Sequence, residues 1–169
     1  EFFGRDGQLR GLKRQCHEGG IRVPFIARWP RHIAAGTVNP HQLAFYDVIP
    51  TFCELIGDRK FPRKYLNKAN PDDCFDGLSF APTLLGKDEQ QVRHEFLYWE
   101  FHETNQIGVR MDDWKLVVKE GIPHLYNLAT DLHEDRDVAA KYPEIVQQLT
   151  AIILQEHLFQ VTLPMKAQP

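Results

Sequence analysis

The sequence predicts an α/β chain, α+β over this length: elements from the edge of a larger sheet whose other strands lie upstream, then a small antiparallel sheet of about four strands carrying a C-terminal helix. Three observations lead there. Ile21-Arg22-Val23-Pro24-Phe25-Ile26-Ala27-Arg28-Trp29 is rich in β-branched and aromatic residues, which suit a pleated strand, and Pro30 ends it. Between Glu95 and Leu128, strand-like runs follow one another closely, which favours antiparallel pairing because parallel strands need long crossovers. After Tyr142, Pro143 occupies a first-turn position, and Ile145, Leu149, Ile152 and Ile153 form one apolar stripe.

Taken in order, Arg5 to Gly20 has loop composition: basic side chains, glycines and no apolar period. From Asp47 to Ile56, the residues Val48, Ile49, Phe52, Leu55 and Ile56 recur at three- and four-residue steps, predicting a helix. Asp47 is placed to cap it, Pro50 falls in its first turn and Gly57 ends it. Asp58 to Gly77, with Pro62, Asn67, Asn70 and Pro71, reads as an ordered surface loop. The predicted strands are Glu95–Glu103, Gly108–Met111, Trp114–Lys119 beyond Asp112-Asp113, and His124–Leu128 after the turn Gly121-Ile122-Pro123.

Composition narrows the function classes. With 169 residues, 43% hydrophobic and 25% charged, the chain has the material for a folded core, unlike a disordered segment. A net charge of −3 and scattered basic residues, with only a loose cluster from Arg59 to Lys68 (Arg59, Lys60, Arg63, Lys64), give no phosphate-tracking stripe and no reason to expect nucleic acid. No apolar run approaches the ~20 residues that span a bilayer. Cys16, Cys53 and Cys74 are odd in number and widely spaced, offering neither a disulfide framework nor a zinc signature.

Leu9 to Pro24, LRGLKRQCHEGGIRVP, reproduces a pattern L-R-x-x-K-x-x-x-[YH]-E-G-G-x-R-x-P. Asp47-Val48-Ile49-Pro50-Thr51, Asp76-Gly77-Leu78-Ser79, Val109-Arg110-Met111 with Trp114-Lys115-Leu116, and Leu125-Tyr126-Asn127-Leu128 with Asp131 and Glu134 follow in the same order. Together these resemble the C-terminal part of sulfatases of the alkaline-phosphatase-like superfamily, nearest the arylsulfatase and N-acetylgalactosamine-6-sulfatase type. Leu132 stands where the family usually has proline, and Arg136-Asp137 where it often has asparagine.

The resemblance implies a parent that hydrolyses sulfate esters, on a sulfated small molecule or glycan, using a formylglycine made from the cysteine of a C-x-[PA]-x-R motif and a calcium ion. No cysteine here is followed by that motif, and the calcium carboxylates of the family belong upstream of Glu1. The chain is therefore expected to hold neither formylglycine nor metal, to depend on a missing N-terminal catalytic portion and to be inactive alone. Its expected division is 1–90, the end of the catalytic domain, and 91–169, a small C-terminal subdomain. The parent of such a family is expected to be exported.

Lys13 falls on the lysine that the family sets against the sulfate. A fixed ammonium there offsets charge that shifts as the S–O bond breaks. Glu18-Gly19-Gly20 is expected to be structural, the glycines for a positive φ or a close backbone approach and Glu18 as an acceptor of backbone N–H groups. His17 stands where relatives often carry tyrosine, so the position needs a ring more than an acid–base group, and it is a candidate substrate-binding residue together with Glu100 and His102. On strand alternation Tyr98, Glu100 and His102 share one face, so Glu100 and His102 can line a sugar pocket; a solvent-facing surface is the competing reading. Glu100 and Glu103 point to opposite faces, against a glycosidase pair. Arg110, Trp114 and Lys115 are expected to be architectural. The rival functions are a phosphoesterase or phosphonate hydrolase of the same superfamily, a non-catalytic sulfated-glycan binding module and a purely structural domain.

Overall fold

The computed structural model describes residues 9–58 and 76–157, in two compact units: those within Glu1–Val23 and Glu95–Pro169, and those within Pro24–His94. The cluster Arg59 to Lys68, the loop residues Pro62, Asn67, Asn70 and Pro71, and Cys74 lie outside the described residues.

In the first unit, alternation along four short strands decides where the core sits. β1 (Leu97–Phe101), β2 (Gln106–Met111), β3 (Trp114–Lys119) and β4 (Ile122–Asn127) form an antiparallel meander in sequence order. Tyr98, Val109, Leu116 and Leu125 stand in one cross-strand row, and the long helix α4 (Pro143–His157) lays Leu149 and Ile153 against it. The next row, Trp99, Gly108, Val117 and His124, faces the other way, as a period of two requires. There Cys16 packs with Val117, Tyr126 and Leu128. A Cβ on Gly108 would stand 2.9 Å from Cys16 Cβ, so the missing side chain is what lets the N-terminal segment lie on the sheet.

The four-stranded sheet and C-terminal helix are as predicted. One turn differs by a residue or two. Glu120 and Gly121 both have positive φ, a two-residue hairpin loop matched to the twist of its strands, so Ile122 and Pro123 begin β4 instead of forming the turn. Proline is tolerated because β4 is an edge strand.

The strand predicted at Ile21–Trp29 does not form. Ile21 closes the one-turn helix α1 (Glu18–Ile21), and beyond it the backbone is extended at Arg22 without a ladder. Extended residues become a strand only when a neighbour takes up their N–H and C=O groups, and no neighbour among the described residues does so.

In the second unit, a 3₁₀ turn Phe45–Asp47 leads into α2 (Val48–Leu55), the predicted helix; a short α3 (Ala81–Leu84) follows. Asp47 does not cap α2. Its carboxylate accepts the N–H of Ala44 at 2.7 Å and of Leu78 at 2.8 Å, and meets His94 Nε2 at 2.8 Å. Thr51 donates to Asp47 O and accepts from the N–H of Phe80. The D-x-x-P-T and D-G-x-S segments are thus two sides of one polar clasp.

Candidate sulfate-contacting loop

Leu9 to Ile21 makes the loop that carries the predicted site. Gln15 N–H donates to Leu12 O at 3.0 Å and Leu12 N–H to Gln15 Oε1 at 3.0 Å, closing a tight turn with Lys13 and Arg14 at its corners. Arg14 takes φ 73°, the left-handed value a type II turn demands at that place. Lys13 projects from the turn, exposed to solvent.

The bend that follows is held by close backbone contact. A Cβ on Gly19 would stand 2.6 Å from Gly11 O, and one on Gly20 would meet Gln15 O, with Leu12 O 2.5 Å away. Of the two predicted reasons for these glycines, close approach is the operative one. The backbone they approach is the loop itself. Gly19 N–H donates to Arg10 O at 2.7 Å, tying both ends together.

Beneath the loop lies a buried charge cluster. Lys115, wholly inaccessible, places Nζ 2.7 Å from Glu18 Oε1 and 3.1 Å from Glu134 Oε1. Arg22 Nε sits 2.5 Å from Glu18 Oε2, and Glu134 Oε2 accepts the N–H of Glu18 at 2.7 Å. Glu18 therefore holds the loop by receiving side-chain cations, where backbone N–H groups were expected. Burial resists ionisation of both carboxyls. For Glu18 the Lys115 ammonium and Arg22 outweigh it and hold the group below the usual range, whereas for Glu134 burial prevails and pushes it up. Lys115 is architectural, as expected, and Arg110 stands 3.7 Å from Glu18. Trp114 packs half-buried against Tyr142, ring centroids 5.0 Å apart. The Glu134 partnership was not foreseen, although its residue stood at a fixed motif position.

His17 is 8% exposed, its ring 6.0 Å from that of Tyr126, and its Nε2 has no hydrogen-bond partner among the described residues. Burial, with Arg10 and Lys115 nearby, lowers its pKa to about 4, so the imidazole is neutral at neutral pH. Glu100 and His102 stand elsewhere, at the end of β1. Tyr98 donates to Glu100 Oε2 at 2.6 Å, and His102 Nδ1 lies 3.5 Å from Glu100 Oε1. His102 belongs to a 3₁₀ turn (His102–Thr104) instead of the strand, and is exposed where Glu100 is nearly covered. The three predicted neighbours do meet, through a turn and not through alternation alone.

The described residues offer no group of three His, Cys, Asp or Glu able to hold a metal ion. Cys16 is fully buried, and burial pushes its thiol up to about 12, the opposite of an activated sulfur. Among the described residues no side-chain cluster fits a calcium ion.

The family model described as N-sulphoglucosamine sulphohydrolase, C-terminal, matches residues 11–158. The chain belongs to this family. Among curated relatives, an N-acetylgalactosamine-6-O-sulfatase of Bacteroides thetaiotaomicron is 28% identical over 165 residues, covering 87% of this chain and 29% of that protein. The mouse steryl-sulfatase is 38% identical over 102 residues, 60% of this chain and 14% of that protein. Human arylsulfatase A is 35% identical over 96 residues, 56% and 17%. A solved structure reported for metabolism of multiple glycosaminoglycans by Bacteroides thetaiotaomicron superposes with TM-score 0.67 at 27% identity, covering 88% of this chain and 32% of the other. The chain thus spans less than a third of the length of these sulfatases. In this sulfatase C-terminal domain, Glu18, Gly19, Gly20, Lys115 and Glu134 brace the loop from which Lys13 projects.

Proposed function

We propose that this chain is the C-terminal part of an enzyme that hydrolyses sulfate esters of a carbohydrate, and that Lys13 is the group it contributes to the sulfate. The observation carrying this reading is the solvent-exposed ammonium of Lys13 on a turn braced by hydrogen bonds and by the Gly19-Gly20 contact. A cation held in place before the reaction stabilises charge developing on sulfate oxygens without reorganising. Glycan sulfatases among the relatives support the carbohydrate class. Glu100 and His102 are proposed to line the sugar side of the pocket, their carboxylate and imidazole suited to hydroxyl groups.

Formylglycine and calcium belong, on this reading, to an N-terminal catalytic portion that also covers the apolar side of α2. Residues 1–90 are the end of that catalytic domain and 91–169 the subdomain. The chain alone has no sulfatase activity, because one positioned cation replaces neither a covalent nucleophile nor a metal. In the full-length parent, Lys13→Ala is expected to lower kcat/KM for a sulfate ester by about 10²- to 10³-fold while leaving the melting temperature unchanged. Undiminished turnover would refute the role of Lys13, and aryl-sulfate turnover proportional to the concentration of the isolated chain would refute its inactivity.

A further inference from the structure

We propose that the recess between the Arg10–His17 segment and the β3–β4 end of the sheet binds one oxyanion group, carried free or on a sugar. The recess has a volume of about 220 Å³ and is lined by Arg10, His17, Gln106, Lys119, His124 and Tyr126, with Gln15 at its side. Among the described residues no carboxylate lines it. A water occupies about 30 Å³ of liquid, so there is room for a tetrahedral or planar oxyanion and part of a sugar ring, but less than the roughly 300–1,000 Å³ of sites for larger ligands.

Its polar groups are arranged to donate. Arg10 NH1 is 3.1 Å from Tyr126 Oη and 2.6 Å from Glu134 O, which fixes the guanidinium while its other N–H groups remain. Accepting from Arg10, the Tyr126 phenol keeps its own O–H to give, and burial holds it protonated by pushing its pKa up. Gln106 accepts the N–H of Cys16 through Oε1 at 3.0 Å, leaving its –NH₂ as the donor end. His124 is held through Nδ1, 2.8 Å from Asp137 Oδ2, and Lys119 adds a full charge at the rim. His17 supplies the observation that asks for a ligand: a ring more than nine-tenths buried whose Nε2 meets no atom able to bond it among the described residues. Buried polar atoms are almost always paired, and an oxyanion in this recess supplies the missing acceptor. Around His17 the charges of Arg10, Lys115 and Lys119 disfavour the imidazolium, while the carboxylates of Glu134 and Asp137 are bound to Lys115 and His124. An anion would reverse that balance and favour the imidazolium.

The proposal does not rest on the sulfatase reading, because Lys13 is not among the lining residues. The test is NMR of the full 169-residue chain with ¹³C-labelled histidine, titrated separately with sodium sulfate and with glucose 6-sulfate at constant ionic strength. Saturable movement of the His17 ring signals is expected, with the His17 pKa rising from about 4 on saturation. Lys119→Gln, a change at an exposed position, is expected to weaken the affinity about fivefold, and Lys13→Ala to leave it unchanged. Tighter binding of glucose 6-sulfate assigns the site to a sugar-borne anion; tighter binding of inorganic sulfate assigns it to a free one. A His17 signal that neither anion moves, or that chloride at matched ionic strength moves equally, overturns the proposal.

Discussion

In the unit that holds the sheet, apolar side chains are enclosed on both faces, by α4 on one and by the Leu9–Ile21 segment on the other. In the Pro24–His94 unit the enclosure is of a different kind: polar groups of Asp47, Thr51, Leu78 and Phe80 satisfy one another, while Ile49 and Phe52 of α2 and Ile56 just after it are exposed. Ile49, Phe52 and Ile56 are 53%, 57% and 79% exposed. The same three- and four-residue period that predicts a helix therefore serves opposite ends. In α4 it faces a core; in α2 it presents a surface of the kind other polypeptide covers. Periodicity reports that a helix has an apolar side, and not what that side meets.

The contrast can be tested where it is greatest. Lys115→Met leaves Glu18 and Glu134 buried without their shared ammonium, and should cost about 3–5 kcal/mol in chemical denaturation. Hydrogen exchange should show β2, β3 and β4 losing protection together. A loss under about 1 kcal/mol would mean that Arg22 and Arg110 suffice, and that the sheet unit stands on apolar packing alone.

A smaller effect sharpens the comparison through pH. His17 is neutral in the native state down to about pH 4, against 6.5 in a model chain, so the unfolded state binds more protons between those values. Its contribution is fully present above pH 6.5 and is lost as pH falls towards 4, a change on the order of 1–3 kcal/mol. Denaturation curves at several pH values should show this slope, and His17→Tyr should flatten it. An unchanged slope in the variant would place the acid sensitivity elsewhere.

The smallest expected change lies on α2. Phe52→Ser should alter stability by no more than about 0.5 kcal/mol, because the ring is already in water, while reducing binding of a hydrophobic dye such as ANS. Destabilisation of about 2 kcal/mol or more would show the ring to be packed in solution and would erase the difference between the two helices.

Much of this was legible in the residues. Close spacing of strand-like runs foretold the meander, the Pro143 stripe foretold α4, and the motif around Lys13 foretold the family. Other features were not. Ile21–Trp29 has strand composition, yet it finds no partner among the described residues, and composition carries no information about partners. Asp47 looked like a cap because its place before an apolar run is what local sequence shows; its bonds to Leu78 and His94 join residues far along the chain. His17 could be read from the sequence as a ring and a candidate binding residue, but its burial and its Nε2, unpaired among the described residues, depend on what folds around it.

By itself the sequence determined the four-stranded meander, the helices α2 and α4 and the family, because backbone propensity, apolar period and motif spacing act over a few neighbouring residues. Tertiary structure alone decided that Lys115 sits between Glu18 and Glu134, that Gly19 and Gly20 serve backbone-to-backbone contact, and that His17 lines a recess with Arg10, Lys119 and Tyr126. Burial and charge pairing depend on what comes close in space, and a residue about 100 positions away can settle both.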